Sequence, residues 1–223
     1  DLIPAPNHIL IAAANEFKDK TNFVHQMWQT DFTYFKIRGW GWYYLSTVLD
    51  DYSRFIIHWQ LGPNMKEADV KTSIDLAMLK SNLKADEKPK LLSDNGACYI
   101  ANGFKDYTQK QGIKHVRGRV RHPQTQGKIE RYHRSMKNVI KLDVYHSPQE
   151  LEDALKSFVH YYNYLRYHEA IGNVTPAQKY YGKAQQVIER RKKIKTETLK
   201  NRRKIYFKKT ENNSYINAFK SNY

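Results

Sequence analysis

Three acidic residues fall where acids are hard to accommodate. Asp31 stands inside a run of strand-forming residues, flanked by Trp28, Phe32 and Tyr34, where a carboxylate is costly without a partner or a task. Asp94 closes a short apolar run just before Asn95-Gly96, and Glu130 is the only acid between Lys110 and Lys141. Sixty-two residues separate the first from the second, and 35 separate the second from the third. Carboxylates brought together repel unless a divalent cation lies among them. Such a cluster suits two hard ions roughly 3.5–4 Å apart, the arrangement that serves in-line phosphoryl transfer. Each acid also has an ordinary use on its own. Asp31 could be a hydrogen-bonded structural acid, Asp94 a turn former, and Glu130 the i+4 partner of Arg134. The chemistry rests on the three together.

The elements that would position them are legible from periodicity. Met27 to Phe35 is rich in aromatic and β-branched residues and reads as a strand. A turn at Arg38-Gly39-Trp40-Gly41 leads to a second strand, Trp42 to Asp50, and Asp51-Tyr52-Ser53-Arg54 leads to a third, Phe55 to Leu61. Apolar residues at helical spacing predict a helix over Lys66 to Leu83. A fourth strand, Lys90 to Ser93, a helix over Asn102 to Gln111 and a fifth strand, Ile113 to Gly118, follow. Arg119 to Gly127 reads as a loop before a helix from Lys128 to about Leu142. Ser147-Pro148-Gln149-Glu150 has the N-cap, N1 proline and N3 acid that start a helix, expected to run to Arg166. Thr175-Pro176 starts a short helix, and Lys183 to Lys204 reads as a charged, solvated one. The order predicts an α/β sandwich around a mixed sheet, with strands four and five parallel. Trp40, Trp42, Tyr43 and Tyr44 are expected to be hairpin core and cross-strand pairs rather than a base-stacking platform.

Charge points to the partner. The 223 residues carry 38 Lys and Arg against 22 Asp and Glu, a net of +16. Lys114 to Lys141 contributes +8 and Glu189 to Lys209 contributes +9, so the rest of the chain is near neutral. Two basic stretches on a neutral body are the footprint of a polyanion binder, with nucleic acid first. The single cysteine, Cys98, excludes a disulfide scaffold and paired-cysteine zinc sites, and it reads as a small buried residue. The longest apolar run, Ile9 to Ala14, is far below a membrane span. Asp1 to Asn22 reads as a lead-in with a short helix around Ala12 to Lys20, from a longer chain without a signal peptide.

Four motifs carry a family resemblance: Trp28-Gln29-Thr30-Asp31, Leu49-Asp50-Asp51-Tyr52-Ser53-Arg54, Ser93-Asp94-Asn95-Gly96, and His122-Pro123-Gln124-Thr125-Gln126-Gly127-Lys128-Ile129-Glu130-Arg131. In this order and spacing they resemble the integrase core of DDE insertion-sequence transposases, with retroviral integrases as more distant relatives. The match continues through Tyr162-Asn163, Arg166, His168 and Thr175-Pro176-Ala177, and covers roughly residues 25 to 205. The resemblance implies an RNase H-like fold with a five-stranded sheet whose first three strands are antiparallel. It implies Asp31, Asp94 and Glu130 as catalytic ligands of two Mg²⁺ or Mn²⁺ ions. It places Gln126, Arg134 and Lys137 near the DNA end, and Arg119, Arg121, Lys128 and Arg131 join them as expected DNA contacts. Where retroviral enzymes typically carry Asn three residues after the Glu, this chain has His133. The implied organisation is a lead-in over 1–22, a catalytic core over 23–182 and a basic helical tail over 183–223. The implied function is metal-dependent DNA strand cleavage and strand transfer by a bacterial transposase in the cytoplasm, associated with the nucleoid and oligomeric on DNA. A nuclease that only hydrolyses, and a DNA-binding relative that does not cut, are the alternatives.

Overall fold

The computed structural model describes residues 20–84, 86–118 and 126–220. Five strands form one sheet in the order β3-β2-β1-β4-β5. Strands β1 (Met27–Ile37), β2 (Gly41–Asp50) and β3 (Ile56–Gly62) form the antiparallel meander. β4 (Lys90–Ser93) runs parallel to β1, and β5 (His115–Arg117) parallel to β4. The expected mixed sheet is therefore present. Its fifth strand is shorter than the expected Ile113 to Gly118.

Period-two alternation along β1 divides the molecule into layers. Odd positions face one way: Phe35 and Ile37 join Leu45 and Leu49 of β2 in a core with Ile129, Tyr132, Met136 and Leu155. Those partners belong to α4 (Gly127–Ile140) and α5 (Pro148–His160), which cover that side. Even positions face the other way, where Trp28 and Val48 pack with Val70, Ile74, Tyr99 and Phe104. These come from α1 (Glu67–Ser81), α2 (Ala97–Ile100) and α3 (Asn102–Lys110). The four-residue α2 was not foreseen; its length is below what periodicity can register.

Capping follows the sequence. The Ser147 hydroxyl accepts from the Glu150 N–H, and Glu150 in turn accepts from His146 N–H. The helix expected to reach Arg166 instead leaves α-geometry at His160 and continues as a π-helical turn over Tyr161–Leu165. The wider turn places Asn163 against β3, where its side-chain carbonyl accepts from Ile56 N–H and its amide donates to Ile56 C=O. The Tyr162-Asn163 motif thus completes a sheet edge. After α6 (Pro176–Tyr180), α7 (Ala184–Lys220) is much longer than expected. Its first turns bury Ala184 with Val187 and Ile188 against Ile171 and Val174. Beyond that, Ile194, Leu199 and Ile205 remain about half exposed. The lead-in helix expected around Ala12 lies outside the described residues.

Candidate active site

Pairing register brings the first two acids together. Trp28 pairs with Leu91 and Gln29 with Leu92 on adjacent parallel strands. Extending that register by two residues sets Asp31 opposite Asp94, on strands about 4.8 Å apart. Asp31 stands in the middle of β1, and Asp94 just past the carboxyl end of the shorter β4, the end at which open α/β sheets place their ligand sites. Asp94 folds back so that its Oδ1 accepts from the Gly96 N–H at 2.8 Å. A Cβ at position 96 would meet that same oxygen at 3.0 Å, so a side chain there would push the Asp94 carboxylate by a few tenths of an ångström. Burial pushes the Asp94 carboxyl above its ordinary range, the Gly96 N–H opposes the shift, and the charge of Asp31 adds to it. Such a pair attracts a cation.

Glu130 approaches from α4. It lines a cavity of about 680 Å³ with Asp31, His133, Arg134, Lys137 and Asn138, so five residues of one helix share a cavity with the first carboxylate. His133 is buried, with Nδ1 3.4 Å from Asp31 Oδ2. A second cavity, about 370 Å³, opens from the same Asp31 and contains Asp94, Cys98 and Tyr99. Asp31 and Asp94 therefore share one opening, and Asp31 and Glu130 the other. Among the described residues, no three His, Cys, Asp or Glu side chains are close enough to hold an ion as they stand. The donors fit a hard divalent cation in kind, being all carboxylate oxygens, and the mutual repulsion at Asp94 is what a cation would relieve. The Cys98 thiol, raised to about 11 by burial and then by Asp94, is no nucleophile.

The expected DNA contacts separate into groups. Arg131 and Arg134 are exposed, and Lys137 is half-buried beside Asp31 with its ammonium 5.1 Å from the Tyr34 ring centre. Gln126 does not share their surface. It is buried at the start of α4, and its Nε2 lacks a hydrogen-bond partner among the described residues. Lys128 turns inward to an ion pair with Asp51. Arg119 and Arg121, with the His122 to Thr125 segment, lie outside the described residues. The aromatic hairpin needs correcting as well. The expected cross-strand pairs form, Tyr34 with Tyr44 and Phe35 with Tyr43, but the expected core does not: Trp40 and Trp42 are 59% and 52% exposed, and of the four only Tyr43 packs on a core. Alternation alone did not reveal this, because the helices on that side stop short of the hairpin end.

Two models of the integrase core domain match the chain, over residues 22–123 and 111–176. Together they span more than half of it, and the chain belongs to the integrase core domain family. It is 28% identical over 160 residues to the putative transposase InsK for insertion sequence element IS150 of Escherichia coli, covering 71% of this chain and 56% of that protein. A 115-residue stretch, 51% of the chain, is 35% identical to the Gag-Pro-Pol polyprotein of squirrel monkey retrovirus, of which it covers 6%. The chain thus spans about half the length of the curated transposase it matches. Among solved structures, the HTLV-2 integrase catalytic core domain in complex with magnesium aligns with a TM-score of 0.55 at 19% identity, over 71% of this chain and 97% of that one. A chain of the simian T-cell lymphotropic virus intasome aligns at 0.60 and 19% identity, over 73% and 56%. Those likenesses establish the RNase H-like fold. Among the described residues, no helix is long and apolar enough to cross a membrane.

Proposed function

We propose that this chain is the catalytic core of a transposase that cleaves and joins DNA strands with divalent metal, using Asp31, Asp94 and Glu130. The observation that carries the reading is the registered pair Asp31 and Asp94, with Glu130 presented to Asp31 across one cavity. Asp31 belongs to both openings and would bridge two ions, with Asp94 completing one and Glu130 the other. When bound, Mg²⁺ or Mn²⁺ supplies the charge that an in-line phosphoryl transfer needs at the attacking and leaving oxygens. Arg134 and Lys137, on the cavity wall beside Glu130, would hold the phosphates of the strand being cut. His133, on the wall of the same cavity with its Nδ1 3.4 Å from Asp31 Oδ2, would orient that carboxylate. Residues 1–22 and 183–223 would flank this core as lead-in and basic tail. The active form would be an oligomer on DNA, in the bacterial cytoplasm.

A Mn²⁺-dependent assay on an end-labelled duplex tests the proposal, with Asp94→Asn as control. Nicking and joining of a precut end by the wild type, both lost in the variant, is the expected result. Nicking without joining would reduce the function to hydrolysis. Nicking retained by Asp94→Asn would overturn the site.

A further inference from the structure

We propose that the bare aromatic face of the β1–β2 hairpin, Tyr34 with Trp42 and Tyr44, is a stacking platform for an unpaired base of the DNA strand held at the carboxylates. This rests on the DNA-cleaving reading above and adds the state of the substrate. Register places Tyr34 opposite Tyr44 and Lys36 opposite Trp42, all on the even face of the hairpin. Nearer the other end of β1, that face is covered by the helices carrying Tyr99 and Phe104. From Tyr34 onward it is not: Tyr34 and Trp42 are 53% and 52% exposed, and Met65 stands at the rim.

The platform is continuous with the chemistry. Tyr34, Trp42 and Tyr44 line the same 370 Å³ cavity as Asp31 and Asp94, and Tyr34 also lines the cavity of Glu130. A base displaced from the end of a duplex would reach the rings while its phosphate lay at the acids. Tyr34 and Trp42 meet edge to face, centroids 5.3 Å apart at 80°, and the Lys137 ammonium lies over Tyr34. With both contacts made, about half of each ring residue's surface stays exposed and available to a base. Charge decides the occupant. Lys36, Lys137 and Lys141 border the patch, so a second copy of this basic chain is repelled. A DNA strand matches both features, offering phosphates to the lysines and a π-face to the rings.

Binding of the full chain to a blunt duplex and to the same duplex with a two-nucleotide single-stranded end, read by fluorescence anisotropy, tests the platform. The frayed end should bind more tightly. Trp42→Ala should weaken that binding by about five- to a hundredfold, the range for one stacked base, and leave blunt-end binding alone. Trp42→Phe should keep most of the preference. Trp40→Ala, on the turn and outside the cavity lining, should keep all of it. A wild type that prefers neither end, or a preference unchanged in Trp42→Ala, overturns the platform while leaving cleavage untouched. Failure to bind either duplex overturns the DNA reading and the platform with it.

Discussion

Lys128, in the first turn of α4, forms an ion pair with Asp51, in the turn after β2, across 77 residues of sequence. Asp51 is buried and also accepts from the Gln29 amide at 2.7 Å and from the Thr21 hydroxyl at 2.6 Å. Gln29 completes the link by accepting the Ile129 N–H at 3.0 Å. The helix that carries Glu130 is therefore tied down at the two residues just before it, Lys128 by Asp51 and Ile129 by Gln29, a strand residue two positions from Asp31. Three motifs that are separate in sequence become one clamp on the site.

Removing Asp51 leaves the Lys128 ammonium without its buried partner. Asp51→Ala should cost roughly 3–5 kcal/mol, as for one-sided deletion of a buried pair, read as a lower urea midpoint. Asp51→Asn should cost less, since its one side-chain carbonyl can still accept from the Gln29 amide and its NH2 can donate to the Thr21 hydroxyl. A loss under about 1 kcal/mol for Asp51→Ala would show the pair to be idle.

Metal should reverse the effect of a charge removal. Without a cation, Asp94 carries a carboxylate disfavoured by burial and by Asp31, so Asp94→Asn should raise the melting temperature slightly at neutral pH. With Mg²⁺ or Mn²⁺ at a hundred times Kd, the wild type should gain about 2.7 kcal/mol and the variant much less. Equal metal response in Asp31→Asn, Asp94→Asn and Glu130→Gln combined would sink the two-ion reading.

Acid should find a specific weak point away from the site. Burial, with the Lys80 ammonium 2.9 Å from Nδ1, holds the His58 imidazole down to about 4. Its folded value lies below the unfolded 6.5, so the stability it contributes is present above 6.5 and is lost as pH falls from there toward 4. The loss should be roughly 3 kcal/mol. His58→Gln should flatten the decline over that window in denaturant titrations. A profile as steep as the wild type's would clear His58 of the effect.

The strands, their pairing and the spacing of the three acids were legible because each depends on local pattern: alternation, turn residues and chain order. Directions across the fold were not. Helical arithmetic put Gln126 on one face with Glu130 and Arg134, but the first turn of α4 packs inward and buries it. Lys128 read as a phosphate contact because a charge run does not reveal which member meets a buried acid 77 residues away. The hairpin aromatics read as core because alternation gives a face, not whether another layer covers it. What failed was the distribution of residues between neighbours, which only tertiary packing decides.

That same distribution sharpens the expectation for the basic tail. The first turns of α7 dock through Ala184, Val187 and Ile188, with Arg191 reaching the Asn173 carbonyl and lying 4.7 Å from the Tyr167 ring. Cutting the chain after Gly182 would strip that packing and confuse stability with binding. Ending it after Lys195 keeps the docked turns and removes Lys200, Arg202, Arg203, Lys204 and Lys208, whose segment is exposed. Each phosphate those bases neutralise contributes about 0.9 to the slope of log affinity against log salt, so three or four contacts should flatten it by roughly three. The metal-induced rise in melting temperature should stay unchanged, because none of the described side chains in the removed segment lines either cavity. Titrating both chains against one duplex across a salt series reads the slope directly. Identical slopes would reduce the outer part of α7 to a solvated appendage and leave DNA affinity to the bases around Glu130.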